Sequence, residues 1–354
     1  MEVPEYLLPG EAIAQTPLEP RDSARLLEAV DPGRPVQHRH VWDLPNLLGP
    51  GDVVVVNTSR VLPARLRLTK STGAAAEVLL LEQEGADTWS ALVRPGRRLA
   101  PGTVLAAGDR PVVEVGERLD GGRRRVRLLA AVGDVGTIPL PPYIHRPLDD
   151  PERYQTVYAD RPGSVAAPTA GLHLTAGVLA RCRAAGASVV PVDLAVGLGT
   201  FRPVEGTDAR DHHMHAERYR VPSSTMAACR RARRVVAIGT TTVRALESAA
   251  ARGELEGRTE LFIHGAHQFC VVDVLMTNFH QPRSTLLLLL ESFCGPRWRA
   301  LYAEALASGY RFLSFGDAMI VGRADAEQHF VGRVGAGQGA GGRGGVGAPA
   351  GSAG

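Results

Sequence analysis

The chain has 354 residues, 44% of them apolar, which is enough for two domains of ordinary size or one large domain with an insertion. Its formal net charge of +3 does not indicate a nucleic-acid-binding protein, although a local basic face is compatible with that total. Four scattered cysteines without a Cys-x-x-Cys pair argue against a disulfide scaffold and against a cysteine-based zinc site.

The amino terminus and the apolar runs bear on location. Residues 1–5 are acidic and lack the charged-then-apolar pattern of a secretory signal. The longest apolar run, residues 286–290, is far shorter than a membrane span. We therefore expect a cytoplasmic protein that does not contact a membrane.

The first part of the chain predicts one buried strand and then a change of texture. Residues 53–56 are four valines followed by Asn57 and Arg60, a pattern typical of a strand that is covered on both faces and ends in a polar turn. Between residues 66 and 138, short Val- and Leu-rich segments are separated by Gly, Asp and Pro. This spacing predicts an inserted unit of antiparallel hairpins.

After residue 139, strand and helix signals alternate, which is typical of an α/β core, either open or closed into a barrel. The predicted helices cover residues 174–185, 225–234, 243–252 and 284–293, and the predicted strands cover residues 188–194, 235–238 and 271–275. We predict an α/β catalytic domain from residues 1–65 and 151–331, an inserted antiparallel β domain from residues 66–150, and a disordered Gly/Ala-rich tail from residues 332–354.

Polar clusters interrupt this apolar framework at predicted strand ends and turns. Ligand sites of α/β folds lie at the carboxyl ends of strands, so we expect these clusters to share one pocket. Such a pocket, with several imidazoles, indicates an enzyme. The clusters contain Asn57, Arg60, Thr169, Gly171, His173, Gly199, Thr200, Asp211, His215, Thr240, Thr241, Arg244, Asn278 and His280.

Several of these clusters belong to motifs that occur in one order along nearly the whole chain. The main motifs are residues 57–65 (Asn-Thr-Ser-Arg-Val-Leu-Pro-Ala-Arg), 139–144 (Pro-Leu-Pro-Pro-Tyr-Ile), 154–158 (Tyr-Gln-Thr-Val-Tyr), 165–173 (Val-Ala-Ala-Pro-Thr-Ala-Gly-Leu-His), 239–244 (Gly-Thr-Thr-Thr-Val-Arg), 277–280 (Thr-Asn-Phe-His) and 314–319 (Ser-Phe-Gly-Asp-Ala-Met). Together they resemble the S-adenosylmethionine:tRNA ribosyltransferase-isomerase family of the queuosine pathway.

The resemblance implies a large distorted α/β barrel domain that contains an inserted small antiparallel β domain. It also implies a reaction in which the ribosyl part of S-adenosylmethionine is transferred and isomerised onto the aminomethyl group of a 7-deazaguanine in tRNA. The products are epoxyqueuosine-tRNA, adenine and methionine. S-adenosylmethionine is consumed as a substrate, so the resemblance implies no metal and no separate cofactor. We expect a monomer whose partners are S-adenosylmethionine and tRNA.

This chemistry assigns work to particular side chains. The sulfonium acidifies the neighbouring ribose C5′ proton, and a positioned base removes it. His173 is the first candidate for that base, with Asp211 and His215 as competitors. The methionine carboxylate requires a guanidinium or a cluster of backbone N–H groups, and Arg60 and Arg244 are the candidates. The remaining polar residues of the clusters are expected to bind substrate.

Other interpretations of the same residues stay open. Residues 211–215 contain three imidazoles and could form a metal site or a capped turn. Residues 239–242 could hold a phosphate at a helix N-terminus, although a Walker lysine is missing. Asp317 could simply cap a turn, and His280 could be buried. Basic residues of the inserted unit are candidates for tRNA backbone contacts: Arg94, Arg97, Arg98 and residues 123–125.

Three positions depart from the family pattern. Ala195 replaces the histidine of a Leu-His-Val-Gly motif, and Leu198 replaces a smaller residue. Residues 263–266 (Ile-His-Gly-Ala) replace Ile-Tyr-Pro-Gly, whose aromatic ring could stack on a base. These differences keep a second hypothesis open, namely a paralogue that uses S-adenosylmethionine with a small-molecule acceptor.

Overall fold

The computed structural model describes residues 3–197, 204, 206, 208, 209, 212, 214 and 216–324, without the side chain of Arg97. Gly199, Thr200, Asp211, His215, Leu198 and the tail at residues 332–354 therefore lie outside the described residues. The strands are β1 Arg25–Ala29, β2 Gln37–His40, β3 Asp52–Asn57, β4 Ser59–Val61, β5 Arg65–Thr69, β6 Ala75–Gln83, β7 Thr88–Arg94, β8 Val104–Ala107, β9 Arg110–Arg118, β10 Arg123–Leu128, β11 Gly136–Thr137, β12 Arg161–Ser164, β13 Ser188–Leu194, β14 Glu217–Arg220, β15 Arg234–Ile238, β16 Glu256–Thr259, β17 Val274–Asn278 and β18 Ala318–Gly322. The α-helices are α1 Ala176–Ala184, α2 Ser223–Arg231, α3 Thr240–Arg252, α4 Thr285–Cys294 and α5 Trp298–Ala307.

A nine-stranded sheet forms the larger part of the molecule, in the order β16-β14-β13-β3-β15-β17-β18-β1-β2. Its centre consists of four parallel strands, β13, β3, β15 and β17. Strand β18 runs antiparallel to β17 and parallel to β1. The ends of β3, β15 and β17 therefore meet at one edge of the sheet, which is where ligands bind in open α/β folds.

The valine run of β3 explains why this strand lies at the centre of the sheet. Val53 and Val55 pack into one hydrophobic cluster, while Val54 and Val56 pack into another on the opposite face. All four side chains are at most 5% exposed, so neither face of β3 meets solvent. The uninterrupted apolar run thus predicts the observed strand, because parallel sheets are covered on both faces.

The inserted unit is a closed six-stranded antiparallel barrel. Strands β5, β6, β7, β10, β9 and β8 pair in that order, and the pairing of Thr69 with Ala106 joins β5 to β8 and closes the barrel. Closure removes the exposed sheet edges that hairpins would otherwise present. Leu66, Val78, Ala91, Val113 and Val126 fill the interior. The predicted hairpin texture is confirmed, while the domain boundaries at residues 65 and 150 stay predictions.

The helices differ in detail from the prediction. The strand Ser188–Leu194 has the predicted bounds, whereas α3 begins at Thr240 rather than at residue 243. Thr240 and Thr241 therefore belong to the first turn of a buried helix and not to a loop before it. The predicted strand at residues 271–275 is Val274–Asn278 instead, so Asn278 is its last residue. Strands β1 and β18 and helix α5 were not predicted.

The structure also bears on two predictions from the sequence, the absence of a membrane span and the α/β fold class. Among the described residues, no helix is long and apolar enough to cross a membrane. The mixed α/β class and the antiparallel barrel agree with the expectation, and β16 and β2 form the two edges of the large sheet. The distorted α/β barrel implied for this large domain stays a prediction.

Candidate active site

Asn278, the last residue of β17, joins two of the sequence motifs. Its Nδ2 lies 2.8 Å from Nε2 of His173, and its Oδ1 accepts a hydrogen bond of 3.0 Å from the Thr169 hydroxyl. A third contact runs from Nδ2 to the carbonyl oxygen of Leu313, at 3.2 Å. Asn278 is only 3% exposed, so these bonds fix the orientation of its amide. The short 3-10 helix Thr169–His173 is thereby fastened to the end of the parallel sheet.

A cavity of about 340 Å³ opens beside Asn278. Its polar walls come from four separate segments of the chain, and the Tyr143 hydroxyl lies 2.7 Å from the Ser314 hydroxyl within it. Burial raises the pKa of Tyr143 to about 12, so its hydroxyl stays protonated at neutral pH. The cavity is lined by Tyr143, Thr169, Asn278, Phe279, His280, Gln281, Ser284, Leu286, Leu313 and Ser314.

The imidazole of His173 is neutral in this structure. Burial, together with the positive charges of Arg311 and Arg21, lowers the pKa of His173 to about 3. At neutral pH its ring nitrogen Nε2 is therefore a hydrogen-bond acceptor for the Asn278 amide. A histidine with so low a pKa is a weak base, and this favours a role in holding Asn278 in place.

His280 is buried in the same neighbourhood. Its Nε2 lies 3.0 Å from the Thr277 hydroxyl, and its backbone N–H donates to the Tyr302 hydroxyl at 2.8 Å. Burial lowers the pKa of His280 to about 3, so this imidazole is also neutral. His280 lines the cavity and is 7% exposed, so it is buried, while its contact with substrate stays a prediction.

Asn57, at the end of β3, has all its polar atoms bonded within the fold. Its Nδ2 donates to the carbonyl oxygen of Leu194 at 3.0 Å and lies 3.3 Å from the Thr241 hydroxyl. Its Oδ1 accepts from the backbone N–H groups of Ser59 and Leu194, both at 3.1 Å. The Asn57 side chain thus locks β13 and α3 onto β3, and this geometry favours a structural role over substrate binding.

Glycine is required at two of the motif positions. At Gly171, a Cβ atom would collide with the hydroxyl of Tyr158 and lie 2.9 Å from Cγ2 of Thr156. Gly171 therefore serves the close packing of two motifs and offers no side chain to a ligand. Gly239 has φ = 87°, a left-handed conformation that turns β15 into α3.

The two candidate arginines have different surroundings. Arg60 lies on β4, where its half-exposed guanidinium pairs with the carboxylate of Glu152. Arg244 lies in the second turn of α3, is 4% exposed and forms a buried ion pair with Glu217. The sequence placed Glu217 in the cluster of residues 211–217 and did not pair it with Arg244. The signal that could have indicated a partner was the arginine itself, since a buried guanidinium requires a counterion.

A second cleft, of about 760 Å³, separates the barrel from the large sheet. Ala195, Val196 and Gly197 form one wall, and Oε1 of Glu217 accepts a 2.7 Å hydrogen bond from the Gly197 N–H. The barrel contributes the opposite wall. Its lining residues are Leu81, Glu82, Ser90, Leu92, Gly121 and Arg123.

Two of the basic residues that were considered for tRNA contacts are occupied within the barrel. Arg124 is 3% exposed, and its guanidinium donates to the carbonyl oxygens of Leu99 and Gly116, at 2.8 and 3.0 Å. The guanidinium of Arg125 pairs with Glu84 and Glu117. For Arg124 the interpretation as a phosphate contact is wrong, because its charge is buried against backbone carbonyls.

Comparison with known proteins identifies the family. The family model described as "Queuosine biosynthesis protein" matches residues 2–321. The S-adenosylmethionine:tRNA ribosyltransferase-isomerase of Thermus thermophilus is 49% identical over 344 residues, which cover 91% of this chain and 99% of the relative. The enzyme of the same name from Synechococcus elongatus is 47% identical over 339 residues, covering 90% and 94%. The chain belongs to the queuosine biosynthesis protein family.

A solved structure supports the same assignment to the queuosine biosynthesis family. The crystal structure of an S-adenosylmethionine tRNA ribosyltransferase from Thermotoga maritima is 35% identical to this chain. The match covers 90% of this chain and 99% of the other, with a TM-score of 0.52. The resemblance inferred from the motifs is therefore confirmed at the level of sequence family and of fold.

The positions that depart from the family pattern now have locations. Ala195 lines the cleft between the barrel and the sheet, so the missing imidazole affects that cleft and not the Asn278 cavity. His264 lies against Phe262, with ring centroids 4.6 Å apart. Phe262 and His264 thus provide aromatic rings at the place where the family pattern has Tyr-Pro-Gly.

Proposed function

We propose that this protein transfers the ribosyl part of S-adenosylmethionine onto the aminomethyl group of a 7-deazaguanine in tRNA and isomerises it, with release of adenine and methionine. The observation that supports this function most strongly is the match of residues 2–321 to the family, with 47–49% identity to relatives named for this activity. The reaction balances without an oxidant or a reductant. S-adenosylmethionine is therefore proposed as a consumed substrate, with no separate metal or redox cofactor.

The Asn278 cavity is the proposed place of the sugar chemistry. It collects a phenol, two side-chain amides, two imidazoles and three aliphatic hydroxyl groups within and directly behind its walls. Hydrogen-bonding groups that are held rigidly in a buried site stabilise charge as it develops in a transition state. The phenol of Tyr143 stays protonated, so it can donate a proton or a hydrogen bond to a departing group.

We propose that His173 positions the Asn278 amide, because its neutral ring accepts the amide hydrogen at 2.8 Å. The base that removes the C5′ proton is then one of the remaining candidates, Asp211 or His215. Both come after Val204 and Gly206 in the sequence. The Val204 N–H donates to the Arg283 carbonyl oxygen, and the Arg283 guanidinium donates to the Gly206 carbonyl oxygen. Arg283 lies three residues beyond His280 in the chain. Gly199 and Thr200 are retained as proposed substrate-binding residues of the same segment.

The tRNA side of the reaction is proposed for the cleft between the barrel and the sheet. Arg123 and Arg218 lie in its walls, and Arg94 and Arg98 are exposed elsewhere on the barrel. Exposed guanidinium groups around a cleft attract a phosphate backbone. Because the acceptor is tRNA, we propose cytoplasmic residence, and we retain the monomeric state and the distorted α/β barrel as proposals.

The test is adenine release from S-adenosylmethionine with three acceptors: tRNA bearing the aminomethyl deazaguanine, tRNA lacking it, and a small amine without tRNA. We expect release only with the first. Equal release with the small amine would instead support the paralogue with a small-molecule acceptor. No release in any of the three would contradict both enzymatic functions.

A further inference from the structure

A small cavity lies between α3 and α4, next to the Asn278 cavity. Its walls enclose about 260 Å³ of space, part of which is open to solvent. Leu286 lines both cavities, so the two adjoin at this residue. The walls are mostly apolar and consist of Met214, Arg244, Leu261, Phe262, Ile263, Thr285, Leu286 and Leu289.

The two polar side chains in these walls each have an unused group. Nη2 of Arg244 and the hydroxyl of Thr285 are buried and have no hydrogen-bond partner among the residues that the structure describes. Each residue is only 4% exposed, so solvent does not satisfy these groups. Leaving a buried polar group without a partner is unfavourable, because the group has lost its hydrogen bonds to water. Two such groups in one cavity indicate a site that is completed by a ligand.

The rest of the Arg244 guanidinium is already fixed. Nη1 is paired with the Glu217 carboxylate, and Nε donates to the carbonyl oxygen of Leu261 at 3.1 Å. These two bonds hold the planar group so that Nη2 is the arm left for a ligand. A guanidinium held in this way loses little entropy when it binds a carboxylate.

The position of Thr285 adds a second preference for negative charge. Thr285 is the first residue of α4, a helix of ten residues that is capped by Ser284, whose hydroxyl accepts from the Leu287 N–H at 3.2 Å. The N-terminus of a helix bears a partial positive charge and favours a carboxylate. The Thr285 hydroxyl can donate to that carboxylate while Arg244 binds it from α3.

The charges and the apolar walls of the cavity indicate which chemical class of ligand fits it. Arg244 and Glu217 together are neutral, so Nη2 and the Thr285 hydroxyl offer a carboxylate two hydrogen bonds rather than an excess of positive charge. Leucine, isoleucine, methionine and phenylalanine side chains form the remaining walls, and such walls suit an aliphatic chain that contains sulfur. An α-amino acid end that continues into a sulfur-containing chain has both properties.

We propose that this cavity binds the α-amino-acid end of S-adenosylmethionine, with its carboxylate accepting hydrogen bonds from Nη2 of Arg244 and from the Thr285 hydroxyl. This proposal rests on the proposed function. The chain then passes Leu286, and the ribosyl group enters the Asn278 cavity. Arg60, the other arginine considered for the carboxylate, is half-exposed and lines neither of these cavities.

The test compares binding of S-adenosylmethionine with binding of its decarboxylated analogue, which keeps the sulfonium and the nucleoside. Both are measured by calorimetry on the whole protein without tRNA. We expect the wild type to prefer S-adenosylmethionine by at least about tenfold, because hydrogen bonds to a charged group are lost with the analogue. In Thr285→Val and in Arg244→Lys the preference should fall toward one.

Stability provides a readout that separates binding from folding. Thr285→Val removes a buried hydroxyl that no described residue hydrogen-bonds, so the melting temperature of this variant should stay equal or rise while the affinity for S-adenosylmethionine falls. Thr225→Val is the matched control, since the hydroxyl of Thr225 donates to the carbonyl oxygen of Pro191 at 2.7 Å. That variant should lose stability and keep the preference for the carboxylate.

The outcomes are distinct. An unchanged preference in both Thr285→Val and Arg244→Lys, in a protein that still releases adenine with tRNA, overturns the carboxylate site and leaves the proposed function intact. A protein that releases no adenine with any tRNA contradicts the proposed function itself. A preference lost only in Arg244→Lys would overturn the role of Thr285.

Discussion

Asn57 and Asn278 are the same residue type in the same topological place, yet their surroundings differ. Each is buried at the carboxyl end of a strand in the parallel part of the large sheet. Three of the four bonds of Asn57 are to backbone groups, which ties neighbouring strands together. Asn278 instead binds the side chains of His173 and Thr169 and lines a cavity. Only the second arrangement leaves room for a substrate.

The largest expected effect is that of replacing Asn278, the asparagine that lines the cavity. Asn278→Ala removes the group that orients Thr169 and His173, and we expect turnover to fall about 1,000-fold, in the range seen when a polar group that stabilises a transition state is removed. Adenine release under saturating S-adenosylmethionine measures it. A fall of less than tenfold would show that the Asn278 cavity is not the reacting centre.

The opposite result is expected on the structural side. Asn57→Ala leaves the buried N–H and carbonyl groups of Leu194 without side-chain partners, so the free energy of unfolding should decrease by about 3 kcal/mol. Urea unfolding measures this loss. The activity per folded molecule should stay within a few fold of the wild type. A stable Asn57→Ala protein without activity would remove the distinction between the two asparagines.

The sequence predicts the buried strands and helices around the two asparagines but not the long-range pairings between strands. The valine run of β3 and the alternation after residue 139 predict buried strands and helices, because local periodicity decides them. Strand β1 was missed because it pairs with β18, from the opposite end of the chain. Closure of the barrel through Thr69 and Ala106 is likewise a long-range pairing that no local pattern reveals.

The site was predictable only in part, for the same reason. The motifs indicate that Thr169, His173 and Asn278 belong together, and the structure places them within hydrogen-bonding distance. That Asn57 is saturated by Leu194 and Thr241 depends on strand register, which the sequence does not show. Tyr143 and Ser314 were recognised as motif residues, yet their shared cavity required the fold.

A third prediction uses the two buried imidazoles around Asn278. The pKa of His280 is about 3 in the folded state and about 6.5 when unfolded, so the unfolded chain binds more protons. The free energy of unfolding is therefore undiminished by this histidine above pH 6.5, and it decreases as the pH falls from 6.5 toward 3. At pH 5 each such histidine costs about 2 kcal/mol.

Urea unfolding at pH 7.5 and pH 5 checks this prediction. His280→Gln does not titrate in this range, so its loss of stability between the two pH values should be about 2 kcal/mol smaller than that of the wild type. His145→Gln, at an exposed histidine, is the control and should behave like the wild type. Identical losses in all three proteins would contradict the neutral, buried state of His280.

The smallest expected effect, that of His173→Gln, separates a positioning role of His173 from a role as base. His173→Gln retains an oxygen that can accept from the Asn278 amide, so turnover should stay within about tenfold of the wild type if His173 positions that amide. His173→Ala should lose about 100-fold. If both variants are equally inactive while S-adenosylmethionine binding is kept, His173 is the base after all.

The most direct test of the account is mass spectrometry of tRNA that bears the aminomethyl deazaguanine after incubation with S-adenosylmethionine and either the wild type or Asn278→Ala. We expect the wild type to convert the base to epoxyqueuosine with one adenine released per modified tRNA, and Asn278→Ala to leave the base unchanged on the same timescale. Equal conversion by both proteins would contradict the assignment of the chemistry to the Asn278 cavity, and unmodified tRNA with the wild type would contradict the proposed reaction.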